Sequence, residues 1–299
     1  MTATIQLPTD AANRHDFVLL FDVTNGNPNG DPDAGNLPRV DPETGLGIVT
    51  DVALKRKVRN YVDALKGTEE RYKIYVQQGA ILNNQHARAY SALGKDPKKA
   101  NQADIGAAKA WMCENFYDIR TFGAVMSTDV NAGQVRGPVQ LTFGRSVDPI
   151  LGLDAAITRV ALTKPDPKQA AEDETARSGT MGRKAYIPYG LYVAHGFFVP
   201  SFAKATGFDD NDLTLLWQAL VNMWDLDRSA SRGLTGCRGL YVFSHSSPLG
   251  NAPAHKLLER VQVRRKDGVE APRAFSDYTV TVNQDDLPDE VQLHVLAEG

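Results

Sequence analysis

Three short stretches combine basic residues with glycine, a mixture suited to gripping phosphate. The first runs from Thr24-Asn-Gly-Asn-Pro-Asn-Gly-Asp-Pro-Asp33 to the helix-type segment Asp51–Lys66, with Asn25, Asn27 and Asn29 in its loop and Lys55, Arg56 and Arg59 beyond it. The second, Arg228-Ser-Ala-Ser-Arg-Gly-Leu-Thr-Gly-Cys-Arg-Gly239, carries Arg228, Arg232 and Arg238 among glycines and small residues. The third, Arg177-Ser-Gly-Thr-Met-Gly-Arg-Lys184, places Met181 as a lone apolar residue beside Arg183 and Lys184. Glycine lets a backbone approach a ligand closely, and arginine pairs with phosphate oxygens through two hydrogen bonds. Met181 suits a wedge between bases. Three such segments, spread along the chain, favour a single-stranded polynucleotide over a small substrate in one compact pocket.

Enzyme signatures are missing. The six histidines (15, 86, 195, 245, 255 and 294) have no metal-ligand spacing, and no Walker loop, dinucleotide fingerprint or Gly-x-Ser-x-Gly elbow occurs. Asn25, Asn27, Asn29 and Gly30 resemble the start of a calcium loop, but Asn36 stands where a bidentate glutamate is required. Asp31 and Asp33 are the carboxylates placed where a catalytic acid could stand, and their Pro-flanked setting reads first as a turn. Neither a metal nor a cofactor is expected.

Composition narrows the class. The 299 residues are 42% hydrophobic and 23% charged, ordinary for a globular protein, and the two cysteines lie too far apart for a disulfide framework. No apolar run reaches the length of a membrane helix, and the start of the chain lacks a signal-peptide core, so a cytoplasmic protein without membrane partners is expected. The net charge of −3 leaves nucleic-acid binding open only if positive charge gathers on one face.

These residues need a scaffold. Phe17–Val23 reads as an apolar strand, and Thr50 as the cap of a helix whose apolar face is Leu54, Val58, Tyr61 and Leu65. On that helix Lys55, Arg59 and Lys66 line one flank, Lys57 the other, and Arg56 points away, with no balancing acid before Asp63. Residues 67–133 look inserted: a short strand at 71–77, a polar loop at 89–101, and a helix through Ile105, Ala108, Met112, Phe116 and Ile119. Strands follow at 134–148, 157–163 and 185–199, the last bent at Gly190 or Gly196, and the polar excursion 164–184 suggests a projecting hairpin. A helix at 212–227, a strand at 240–245 and strands at 257–265, 274–282 and near Val291 complete the chain. Without its insertions the order is strand, helix, two strands, helix, strand: an α+β, ferredoxin-like arrangement shared with RNA-recognition domains.

Phe21-Asp-Val-Thr-Asn-Gly-Asn-Pro-Asn-Gly-Asp31, Thr50-Asp-Val-Ala-Leu-Lys-Arg-Lys-Val-Arg59 and Asp225-Leu-Asp-Arg-Ser-Ala-Ser-Arg-Gly233 with Leu240-Tyr-Val-Phe-Ser-His245 resemble the type I-C CRISPR backbone protein, the Cas-seven family of the RAMP superfamily, over roughly residues 15 to 260. The resemblance implies a modified RNA-recognition palm (15–70, 134–160 and 187–299), inserted helical fingers (71–133) and a β-hairpin thumb (158–186). It implies a non-catalytic subunit that polymerises along a CRISPR guide RNA and presents it to target DNA. Its partners would be neighbouring copies, the large subunit and the subunit that caps the guide 5′ end. Asn25, Asn27, Asn29, Lys55, Arg56, Arg59, Met181, Arg183, Lys184, Arg228, Arg232 and Arg238 are the expected RNA-binding residues. The alternative is a RAMP-type endoribonuclease using a loop aspartate and a metal, which Asp31 and Asp33 would supply.

Overall fold

The computed structural model describes residues 7–159 and 180–299. The strands are β1 (His15–Gly26), β2 (Gly30–Asp31), β3 (Leu37–Pro38), β4 (Leu46–Val49), β5 (Gly123–Ser127), β6 (Asn131–Arg136), β7 (Val139–Leu141), β8 (Gly144–Pro149), β9 (Leu153–Arg159), β10 (Thr180–Phe198), β11 (Leu234–His245), β12 (Val261–Arg265), β13 (Tyr278–Val282) and β14 (Val291–Glu298). The helices are α1 (Asp51–Lys66), α2 (Leu82–Ala92), α3 (Gln102–Asn115), α4 (Tyr117–Phe122), α5 (Pro200–Thr206), α6 (Asp210–Leu226) and α7 (Ala254–Leu258).

The protein is a mixed α+β structure built on a large antiparallel sheet in the order β14-β11-β1-β10-β8-β4, with β7 and β9 also pairing β10. β1 lies at its centre, and this explains its unbroken apolar run: both faces are covered, so alternation with polar residues would bury unpaired groups. Phe17, Leu19, Phe21 and Val23 meet Leu54, Val58 and Val62 of α1 and Leu213, Leu216, Trp217, Leu220 and Trp224 of α6 on one face. Val18 and Leu20 look the other way, onto Leu258 of α7 and Val261, Val263, Val280 and Val282 of the β12–β13 ribbon. Gly196 of β10 sits under the Phe17 ring, where an added Cβ would come within 2.0 Å of it; the glycine admits the ring.

Residues 75–132 enclose a second core of Tyr75, Ala89, Tyr90, Ala108, Met112, Phe116, Ile119, Met126 and Ala132. Two carboxylates fasten it to the main body. Asp118 of α4 accepts from the Arg59 Nε of α1 at 2.7 Å and from the backbone N–H groups of Tyr75 and Val76 at 2.8 and 3.1 Å. Asp212 of α6 accepts from Arg120 Nε and NH2 at 2.7 and 2.8 Å, and the remaining Arg120 donor NH1 reaches the carbonyls of Arg71, Cys113 and Glu114.

Several sequence expectations change inside this insert. Residues 71–77 form no strand: Glu70–Tyr72 is a 3₁₀ turn, and the next backbone N–H groups are taken by the Asp118 side chain. The start of the expected loop at 89–101 belongs to α2, whose His86, Ala89 and Tyr90 turn inward at helical spacing. The single helix expected at 105–119 is two, broken at the extended residue Phe116, where Tyr117 N bonds Lys73 O at 2.9 Å. The strand expected at 257–265 begins as α7, and only Val261–Arg265 is extended. The expected hairpin is seen as an antiparallel ladder from Leu153↔Tyr186 to Arg159↔Thr180, while 160–179 lie outside the described residues.

Candidate nucleic-acid interface

The loops at 24–33 and 227–233 are separated by some two hundred residues but share one backbone junction. β1 and β11 pair to Thr24↔Leu234, and beyond this pair the chains cross at glycines. A Cβ on Gly26 would lie 1.9 Å from the Arg232 carbonyl oxygen, and one on Gly233, whose φ is +63°, 2.4 Å from that of Thr24. Asn25 takes a φ of +50°, a left-handed turn that asparagine tolerates. Asn27 N donates to Ser231 O at 2.7 Å, and Arg232 NH1 donates to the carbonyls of Asn27 and Pro28 at 3.1 and 3.2 Å.

The asparagines build the loop itself. Asn27 is buried and its Nδ2 donates to Asn36 O at 2.7 Å. Asn29 Oδ1 accepts from both Thr50 N and Thr50 Oγ1 at 2.9 Å, and Thr50 Oγ1 caps α1 by accepting from Ala53 N at 3.3 Å. The loop is thus bolted to the start of α1. That cap leaves the start of α1 less room to grip phosphate than the first basic stretch suggested: Thr50, Asn29 and the acidic Asp51 occupy that end, so its positive dipole is met within the chain.

The expectation of a basic run without acidic partners is likewise corrected. Lys55 pairs with Asp51 at 2.8 Å, Arg59 with Asp118 at 2.7 Å, and Lys57 is buried against Asp227 at the end of α6. Asp227 also faces Arg232 Nε at 3.3 Å. Arg56 is exposed and, among the described residues, meets no carboxylate.

Lys57 and Arg232 therefore share the single Asp227 carboxylate, and Arg56, the exposed neighbour of Lys57 on α1, adds a third positive charge. Burial, then the charges of Arg232 and Arg56, pull the Lys57 ammonium below its ordinary value. Burial, then Arg56, does the same to Arg232. Repulsion between the desolvated Lys57 and Arg232 and the exposed Arg56 is relieved when a further anion arrives, and a phosphate diester is an anion matched to guanidinium geometry. Arg56 also stands on the wall of a groove of about 640 Å³ between α1 and residues 74–78, which neither Lys57 nor Arg232 lines.

The other expected residues fall elsewhere. Arg228 turns back onto Asp225 at 2.5 Å. Arg238 is absent from the cluster: the ladder shifts register between Leu20↔Gly239 and Phe21↔Cys237, and Arg238 leaves on the ribbon face, 2.8 Å from buried Asp22 and over the Phe275 ring. Arg183 is exposed on β10 and pairs with Asp154 at 3.2 Å, and Lys184 is half-buried on the same strand; both belong to the β9–β10 ladder. Met181 pairs with Thr158 in that ladder. Asp31 caps the turn Pro32–Ala34 and faces Arg39 at 3.4 Å. Among the described residues no group of three or more His, Cys, Asp or Glu could hold a metal, and no helix is long and apolar enough to cross a membrane.

A family model described as CRISPR-associated protein Cas7 matches residues 13–283. The chain belongs to that family. A curated relative, CRISPR-associated protein Cas7 of Haloferax volcanii, is 24% identical over 316 residues, covering 96% of this chain and 87% of the relative. The fold is similar to a chain of a solved CRISPR RNA-guided surveillance complex in a pre-nicking state, with a TM-score of 0.50, 14% identity and coverage of 77% and 78% of the two chains. A second surveillance-complex chain matches at a TM-score of 0.44 and 14% identity, over 77% of this chain and 68% of that one.

Sequence reading alone picks out the Cas7 segments that meet at the junction. It misses Lys57 and Asp227 as partners in the cluster, and Asp118 and Asp212 as anchors of the insert. The signal for Lys57 was present: a lysine one residue before Val58 and three after Leu54 sits at the edge of the apolar face, where only its stem can be buried comfortably.

Proposed function

We propose that this Cas7-family chain is a CRISPR RNA-binding backbone subunit of a type I-C surveillance complex. The observation that carries the proposal is the pairing of Lys57 and Arg232 with one carboxylate, Asp227, beside the exposed Arg56 and at a junction of two glycine-bearing loops. A guide phosphate takes the place that the cluster leaves for a further anion. The strand order and the insert with its own core support reading the sheet as a modified RNA-recognition palm, residues 71–133 as fingers and the β9–β10 ladder as the base of a thumb. Successive copies line up along the guide and hold it by its backbone, leaving base edges for target DNA, so pairing reads sequence while protein reads shape. Neighbouring copies, the large subunit and the guide 5′-end-capping subunit are its protein partners. In this reading the subunit is a scaffold without catalysis of its own.

The test is purification of the protein expressed with a matching CRISPR array, followed by the ratio of absorbance at the nucleic-acid and protein maxima and by light scattering. Large particles carrying RNA are expected, and Arg232→Glu with Arg56→Glu should give small, RNA-free protein. A wild-type preparation that is monomeric and free of RNA overturns the proposal.

A further inference from the structure

Asp227 stands at the C-terminal end of α6, whose last turn holds no basic residue. The helix dipole is negative there, so a carboxylate is disfavoured unless cations from elsewhere meet it. Lys57 of α1 and Arg232 of the loop before β11 meet it, but they differ in what else they can reach. The Lys57 side chain is only 6% exposed, and its ammonium lies over the buried Trp224 ring at 5.6 Å. Burial, and then Arg232 and Arg56, pull its pKa down to about 7. Arg232 keeps 28% of its side chain exposed. Its Nε faces Asp227 at 3.3 Å, its NH1 donates to the carbonyls of Asn27 and Pro28, and its NH2 donates to no described residue.

Anchors on Nε and NH1 fix the plane of the guanidinium and leave NH2 for a ligand. A guanidinium held this way loses little freedom when it binds, which favours the complex. The anchor has an electrostatic cost, because Asp227 and Arg232 alone would cancel and a phosphate would meet no net charge. Lys57 removes that cost: two cations against one carboxylate leave one positive charge at the exposed arginine. We infer that Asp227 is a positioning residue of the RNA grip, aiming Arg232 at a guide phosphate, and that buried Lys57 touches no RNA but offsets the Asp227 charge so that Arg232 keeps its own. The inference rests on the RNA-binding reading above and divides the labour within its charged pair.

The experiment is a salt titration of guide-RNA binding for Lys57→Met, Lys57→Met with Asp227→Asn, and Lys57→Met with Asp227→Leu, each checked by thermal unfolding. Lys57→Met leaves Asp227 to cancel Arg232, so affinity should fall about tenfold and the slope of log K against log salt should flatten by about 0.7 per subunit. Adding Asp227→Asn removes the surplus negative charge and keeps an acceptor for Nε, so both affinity and slope should return to near wild-type values. Adding Asp227→Leu instead should restore the slope but not the affinity, because Arg232 is charged and no longer aimed. A flattened slope that persists with Asp227→Asn overturns the inference, since Lys57 would then itself hold phosphate. Wild-type affinity and slope for Lys57→Met overturn it too. If Lys57→Met alone does not fold, the pair with Asp227→Asn, which holds no uncompensated charge, decides the matter by the same slope. A wild-type protein that binds no RNA removes the reading beneath it.

Discussion

Arg120 of α4 and Asp212 of α6 meet in two hydrogen bonds of 2.7 and 2.8 Å with both side chains fully buried. Removing one partner leaves the other charge without compensation in a low-dielectric interior. Arg120→Met is expected to cost about 3–5 kcal/mol, and the double change Arg120→Met with Asp212→Leu should recover much of it. Urea unfolding of both variants checks this; equal losses for the single and double variants would contradict it.

The helix cations should separate by mechanism. Arg56→Ala removes a free charge, so RNA affinity should fall and the slope of log K against log salt should flatten by about 0.7. Arg59→Ala leaves the stacked contacts of Asp118 without their cation, so its loss should appear in the melting temperature. Salt-titrated binding and thermal unfolding of the two variants, side by side, check the division.

Gly26→Ala places a methyl group against the Arg232 backbone, where no side chain can swing away. The two loops must part, at a cost on the order of 1–3 kcal/mol. RNA affinity should drop, while the amide-exchange protection of α6 stays near its wild-type level. Unchanged affinity would mean that the junction does not shape the site.

Burial lowers the pKa values of His15, His86 and His195 below their ordinary 6.5. Each group in the unfolded chain then binds a proton more readily than in the fold, so stability is complete above about pH 6.5 and declines as pH falls below it. His86 is held neutral between the Tyr75 hydroxyl at 2.8 Å and Val130 O at 2.7 Å. Denaturant midpoints across pH 7.5 to 5.5, roughly one unit either side of that value, should fall for wild type and less steeply for His86→Gln.

Asp31 serves as a turn cap and an Arg39 partner. Labelled guide or complementary RNA incubated with Mg²⁺ should remain uncut. Specific cuts lost in Asp31→Ala would replace the scaffold reading with a ribonuclease.

What could be read from the chain was what depends on neighbours in sequence. The apolar run of β1 announces a central strand because both its faces are covered, and α1 and α6 show their periodicity because each buries one side. The pairings could not be read. Lys57 and Asp227 are 170 residues apart and Arg59 and Asp118 are 59 apart, so a local search could find only the Asp51 partner of Lys55, four residues before it. Arg238 looked like a sibling of Arg232, yet a single bulge in the β1–β11 ladder carries it to the opposite face. α2 was missed because His86, counted as polar, is a buried residue whose two nitrogens are both bonded.

The Gly26–Gly233 junction also sets a clock. During synthesis the asparagine loop and the cations of α1 emerge early, but Asp227, Arg232 and β11 leave the ribosome only after another two-thirds of the chain. Until then Lys57 has no counter-ion and β1 lacks one flank, so a nascent subunit has no finished grip. A grip built on this junction is therefore finished only after most of the polypeptide has been made.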